Sequence, residues 1–325
     1  MKLPLIIAAF AAASALPALA QKNDPAADFP KHPIRIVVGF TPGGQPDIYA
    51  RLISIKLGEA LGQQVVIDNR PGAGGIIGAQ IVVGALADGH TLLSVSSAHV
   101  TAPAVRAKMP YDTVKDLAGI TRTANATYVL VVPPSLAVKS VQDLIALARA
   151  KPGQINFSSA GNGSGTHFAG EMFKQSAGID VVHIPFKGIP ESLTDTISGR
   201  VQFTMSPIGS SVSLLKDGRL RALAVTSLKR SSLYPELPTI AEAALPDFEW
   251  DSWGGILAPA KTPRAVINRL NREMVKILAM PDIIERLHGL GAEATPSTPA
   301  ELDAYVARQL QIATQIAKKA GIEPQ

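Results

Sequence analysis

The sequence predicts an α/β protein of two lobes with a cleft between them, and three observations carry that prediction. β-Branched runs alternate along the chain with helical stretches, which implies parallel βαβ units joined by right-handed crossovers. Gly-rich turns stand where strand runs hand over to helices. The alternation also comes in two series, each long enough for a lobe with its own sheet. The composition agrees: 325 residues, 46% hydrophobic, 18% charged, with 27 Gly and 25 Pro. Many short elements joined by tight turns give such numbers, whereas collagen, coiled coil and disordered scaffolds do not. The absence of Cys excludes disulfide frameworks, thiol nucleophiles and Cys-ligated metals.

The first residues are a leader rather than fold. Met1-Lys2 is a positive start, Leu3 to Ala15 is almost wholly apolar, and Ala18-Leu19-Ala20 is a small-residue cleavage site. This pattern predicts a secretory signal peptide over 1–20, cut after Ala20, and therefore export. Residues 21–30 read as a polar linker. The net charge of +5 is dispersed without a Lys/Arg run, which argues against nucleic acid as a partner.

In the first series Ile34 to Phe40 is a buried strand. Thr41-Pro42-Gly43-Gly44-Gln45-Pro46-Asp47 then turns into a helix running to Leu61, with Pro46 and Asp47 suited to its first turn. Gln64 to Asn69 is a strand, Arg70 to Gly75 a turn, Ile76 to Ala85 a helix, and Thr91 to Ser97 a strand ending in Ser94, Ser96 and Ser97. A new region opens with Tyr128 to Val132. A helix follows, capped by Ser140 and Asp143, with Val141, Leu144, Ile145 and Ala148 inward. The second series has strands at Gln154 to Ser158, Val181 to Phe186, Val201 to Met205 and Leu220 to Thr226, and a helix at Phe168 to Ala177. Ser252 to Leu257 is a last strand. The helices after Pro263, closing with one opened by Thr298 and Glu301, have no sheet of their own and are expected to pack back on the first lobe. The expected division is 31–126 plus 254–325 for one lobe and 127–253 for the other, with crossings near Asn125 and Trp253.

Two loops carry the candidate chemistry. Pro42-Gly43-Gly44 sits between a buried strand and a helix N-terminus, where free N–H groups and the helix dipole can hold a carboxylate or phosphate without Lys or Arg. Ser158 to His167 is a second such loop, rich in small and hydroxyl side chains. Either could also be plain turn chemistry, but two on separate lobes suit a small anion charged at both ends. Ligands in open α/β sheets lie outside the strand C-termini, in agreement. Lys187, at a strand end beside Gly188, either points to solvent or brings a positive charge to the cleft. Trp250 and Trp253 are either packing at the second crossing or a cleft wall.

Enzyme readings fare poorly. Gly72-x-Gly74 is followed by Ile77 where a dinucleotide fingerprint needs Gly. Ser164 lies one position out of phase with a nucleophile elbow, and no acid is placed to orient His167. The six His lack metal-ligand spacing, and His183 reads as a core histidine. No cofactor or metal is called for.

The ordered series of motifs resembles the periplasmic receptors of the tripartite tricarboxylate transporters, the Bug receptors. Matching segments include Pro33-Ile-Arg-Ile-Val-Val-Gly-Phe-Thr-Pro-Gly-Gly with Asp47 and Arg51, Leu61-Gly-Gln-Gln-Val-Val-Ile-Asp-Asn-Arg-Pro-Gly-Ala-Gly-Gly, Asp88-Gly-His-Thr-Leu-Leu, His183-Ile-Pro-Phe-Lys-Gly, Gly218-Arg-Leu-Arg-Ala-Leu-Ala-Val-Thr and Trp253-Gly-Gly-Ile-Leu-Ala-Pro. The resemblance implies a type II periplasmic-binding fold that traps a di-, tri- or aromatic carboxylate by lobe closure. It also implies delivery to the membrane components of the transporter, by a monomeric receptor. A sensor feeding a signalling partner and an exported serine hydrolase on Ser164 and His167 are the alternatives. Carried onto this chain, the ligand-binding candidates are Gly43, Gly44, Gln45, Ser96, Ser97, Thr127, Ser159, Gly163, Ser164, Thr166, His167 and Lys187. Ser206 joins them at the position where the family commonly has an acid. That departure disfavours an ammonium-bearing ligand.

Overall fold

The computed structural model describes residues 26–231 and 234–319; the leader lies outside them. In chain order the elements are β1 (Ile34–Val38), α1 (Gln45–Leu61), β2 (Val65–Asn69), a 3-10 turn (Ala73–Gly75), α2 (Ile76–Val83), β3 (Thr91–Ser96), α3 (Ala98–Ala104) and β4 (Leu117–Val132). Next come α4 (Val141–Ala150), β5 (Asn156–Ser159), α5 (Gly165–Ala177), β6 (Val182–Pro185), α6 (Ile189–Ile197), β7 (Phe203–Pro207), α7 (Ile208–Lys216), β8 (Arg221–Val225) and α8 (Ile240–Ala243). The chain closes with β9 (Asp251–Pro259), α9 (Arg264–Leu278), α10 (Pro281–Gly289), β10 (Ala292–Ala294) and α11 (Pro299–Lys319).

β4 joins the two halves. Its first part pairs antiparallel with β9 and β10, and β9 continues through β3 to the parallel β1 and β2. From Tyr128 onward β4 lies between β7 and β8, with β5 and β6 parallel beyond β7. One 16-residue strand therefore belongs to both sheets. Tyr128 to Val132 reads as strand in sequence because its run is apolar. Leu117 to Thr127, broken by Thr, Arg and Asn, becomes strand only because β9 covers one edge and β10 the other.

Where the sequence carries a local signal, the elements agree with it. In α4, Ser140 Oγ accepts the Asp143 N–H, and the buried residues are Val141, Leu144, Ile145 and Ala148. Thr298 and Glu301 cap each other at the start of α11, which packs on α3 and β4. The fingerprint-like glycines serve packing. A Cβ on Gly78 would stand 2.7 Å from the Gly39 Cα, so α2 lies against the end of β1.

Other elements depart from expectation. β1 stops at Val38, two residues short. α5 starts at Gly165, so Thr166 and His167 belong to the helix and Ser164 is its cap. α3, α6, α7, α8 and β10 carry no periodicity long enough to announce them. No helix of the described residues is long and apolar enough to cross a membrane.

Candidate functional site

Phe40, Gly44, Gln45, Pro46, Ser96, Tyr128, Ala160, Ser164, Gly165, Thr166, Ile189 and Pro207 line a cleft of about 330 Å³, its mouth included. Four helices start there: α1 after Gly44, α5 after Ser164, α6 after Gly188 and α7 after Pro207. Each start carries about half a positive charge from its unpaired N–H groups. None of the described residues lining the cleft is charged. The cleft is thus an electropositive slot made of backbone, with hydroxyls at Ser96, Ser164 and Thr166 and apolar walls from Phe40, Ala160, Ile189 and Pro207.

The hydroxyls are held in different ways. Ser96 is buried, and its side chain makes no hydrogen bond to the described residues, which leaves it free for a ligand. Ser164 Oγ accepts the His167 N–H and lies 2.9 Å from Thr166 Oγ1, which in turn accepts the Ala160 N–H. Tyr128 OH pairs with Ser97 Oγ at 3.1 Å, and Gln45 is tied to Tyr49 and Ser252. Burial pushes the Tyr128 hydroxyl's pKa up, so it stays a neutral donor.

Asp47 sits behind the start of α1, 2% exposed. Its carboxylate accepts the Gly43 N–H at 2.9 Å, both Arg51 Nε contacts at 3.0 Å and Asn69 Nδ2 at 2.9 Å. Burial alone would raise its pKa; the bonds from Arg51, Gly43 and Asn69 outweigh burial and hold it below the usual carboxylate value. Arg51 neutralises the charge that would otherwise oppose an anion at this helix end. Asp47→Ala leaves Arg51 and two donors without their partner, and we expect a loss of about 3 kcal/mol. Urea unfolding measures it, and a loss below about 1 kcal/mol would refute this role.

Of the residues expected from sequence, Gly44, Gln45, Ser96, Ser164 and Thr166 meet in the cleft. Gly43 flanks it with its N–H spent on Asp47. Ser97 stands behind Tyr128. Thr127 is not among the lining residues: its Oγ1 lies 3.2 Å from Thr226 Oγ1 and accepts the Ser227 N–H, tying β4 to the segment that follows β8. Ser159 Oγ is taken by His183 Nε2 at 2.6 Å. The Gly163 N–H goes to His167 Nδ1, and its carbonyl accepts from Thr101 of the other lobe. Lys187 is exposed and is not among the residues that line the cleft. Ser206 is fully buried against Ser211, and only the next residue, Pro207, reaches the cleft. Tyr128, Phe40 and Ile189 were not anticipated as lining. Tyr128 and Phe40 read in sequence as ends of apolar strand runs and Ile189 as an isolated apolar residue, and only the fold turns one edge of each toward the ligand space.

His167 meets Ser164 through its backbone, not its ring, so the two form no nucleophile–base pair. Among the histidines, the fold does gather His32, Asp88 and His90, scattered in sequence, within 4.8 Å. His90 Nε2 accepts the Lys31 N–H, which puts the ring proton on Nδ1, 3.3 Å from Asp88. The ring then has no lone pair left for a metal.

The profile of the tripartite tricarboxylate transporter family receptor matches residues 49–322. The chain belongs to that family. The receptor is 33% identical to protein BugT of Bordetella pertussis (strain Tohama I) over 295 residues, 90% of each chain. It is similar to an R. palustris protein solved with adipate, at 36% identity and a TM-score of 0.89, covering 92% of this chain and all of that one. It is also similar to MatC of Rhodopseudomonas palustris with bound malate, at 28% identity and a TM-score of 0.85, covering 89% and 99%. The receptor therefore has the two-lobed fold of periplasmic binding proteins and is a solute-binding protein of a family of receptors, not of enzymes.

Proposed function

We propose that the receptor captures a small carboxylic acid with an apolar body, closes its lobes over it in the periplasm, and delivers it to the membrane components of a tripartite tricarboxylate transporter. The observation that carries this reading is the convergence of four helix starts on a cleft whose described lining holds no charged side chain. A carboxylate gains N–H donors there with no carboxyl group to repel it. The apolar walls from Phe40, Ala160, Ile189 and Pro207 reward a hydrocarbon or aromatic body. Adipate in one structural neighbour fits this pattern better than malate in the other.

A thermal-shift and calorimetry panel of adipate, benzoate, malate and citrate tests it. Adipate or benzoate should bind at least about tenfold tighter than malate. At a hundred times its dissociation constant, the best acid should add about 2.7 kcal/mol of stability. If no acid in the panel raised the melting temperature, the receptor reading would fail.

A further inference from the structure

A second chamber of about 300 Å³, mouth included, adjoins the cleft inside the first lobe. Phe40 and Ser96 line both spaces, so the two meet at these side chains. Glycine makes room on one side: a Cβ on Gly75 would already stand 3.0 Å from the Phe40 ring. Ile76, Leu93 and Val95 supply apolar wall, and none of the described lining residues is Asp, Glu, Lys or Arg. Of the polar side chains, Ser94 is spent on the Pro46 carbonyl at 2.8 Å. His99, in the first turn of α3, is different. It is 6% exposed, and its Nε2 has no hydrogen-bond partner among the described residues. A buried nitrogen left so forgoes the bond that water would have given it, and a ligand can restore that bond. Burial holds the pKa of His99 down to about 4, so at pH 7 the ring is neutral, with one N–H and one lone pair. A hydroxyl both donates and accepts and matches such a ring in either tautomer, which a carboxylate, an acceptor only, does not.

We propose that this chamber is the subsite for the far end of the ligand and that His99 sets its specificity. The acid keeps its carboxylate at the helix starts, its body passes Phe40, and a hydroxyl at its far end bonds to His99 Nε2. The favoured solute is then a hydroxylated monocarboxylic acid. This rests on the carboxylate reading above and deepens it.

Two pairs of acids separate the subsite from that reading: benzoate with 4-hydroxybenzoate, and hexanoate with 6-hydroxyhexanoate. By calorimetry, at least one hydroxylated acid should bind about tenfold tighter than its partner, because the partner leaves the imidazole unpaired. In His99→Leu that ratio should fall to about one. In His99→Gln, which keeps a donor and an acceptor, it should stay at about threefold or more. A purely structural His99 would weaken both members of a pair alike and leave the ratio as in the parent, which overturns the proposal. So does a parent protein in which neither hydroxylated acid binds tighter than its partner. If benzoate and hexanoate bind and the hydroxyl adds nothing, the subsite alone fails; if none of the four acids binds, the carboxylate reading fails with it.

Discussion

Gly188→Val should abolish tight ligand capture while leaving a folded protein, with affinity for the best acid of the panel falling at least about a hundredfold. Gly188 is the last residue before α6, and its φ of −169° is extended backbone open to any residue. A Cβ there would lie 1.9 Å from Thr41 Oγ1 and 3.1 Å from Thr41 Cβ, across the cleft on the loop before α1. Thr41 donates to Glu191 at 3.0 Å, beside Thr101 to Gly163 at 2.6 Å and Ser210 to Gly43 at 3.3 Å. Each of these bonds joins a loop of one lobe to a helix of the other, so a wedge at Gly188 opposes all of them at once. The fold itself should lose only about 1 kcal/mol, the cost of Val in place of Gly at a helix cap. Calorimetry with the variant measures the affinity. The double variant with Thr41→Gly removes the obstructing side chain and should recover most of the binding. Undiminished affinity in Gly188→Val would show that the cleft need not close for capture.

Acid should destabilise the protein at pH values where most of its carboxylates are still ionised. Burial pushes the pKa of His99 down to about 4, that of His167 to about 4 and that of His183 to about 3. His167 and His183 are stacked with centroids 4.1 Å apart, and protonating either hinders the other. In the unfolded chain these rings take up protons near the ordinary value of 6.5. Their contribution to stability is therefore complete above about pH 6.5 and is lost as the pH falls toward 4, where only the unfolded state is binding protons. Each ring accounts for on the order of 3 kcal/mol across that window. Burial, with Glu249 next, moves Asp251 the other way, up to about 6, and burial also raises Glu171. Folded carboxyls that protonate early add stability as the pH falls, so they offset part of the slope, but three histidines outnumber them. Urea unfolding at pH 7, 5.5 and 4.5 should show a steep fall, and His99→Leu should flatten it by about one proton. A stability unchanged between pH 7 and 4.5 would contradict the burial of these rings as neutral groups.

The same residues show how far the sequence could be read. The Gly43-Gly44 turn and the Ser164 cap were legible because strand-to-helix turns with Gly or Ser need no distant partner to be recognised. The inner face of α4 was legible because its apolar spacing matches a helix. Thr127, Ser159 and Lys187 matched the family's order of motifs, yet in the structure Thr226 and a neighbouring imidazole take the two hydroxyls and Lys187 stands exposed. Tyr128 escaped notice because it opens an apolar run that reads as core strand, and Ile189 because a single apolar residue between Gly188 and Pro190 carries no signal until the fold places it.

By itself the sequence determined the alternation of strands and helices, the places where Gly-rich turns meet helix starts, and the family to which the ordered motifs point. Those features depend on contacts between residues a few positions apart. Only the tertiary structure decided that β4 serves both sheets, that four helix starts share one cleft, and that a chamber lined by His99 adjoins it. Each of these joins segments tens to hundreds of residues apart, and long-range packing, not local periodicity, fixes which of their side chains meet.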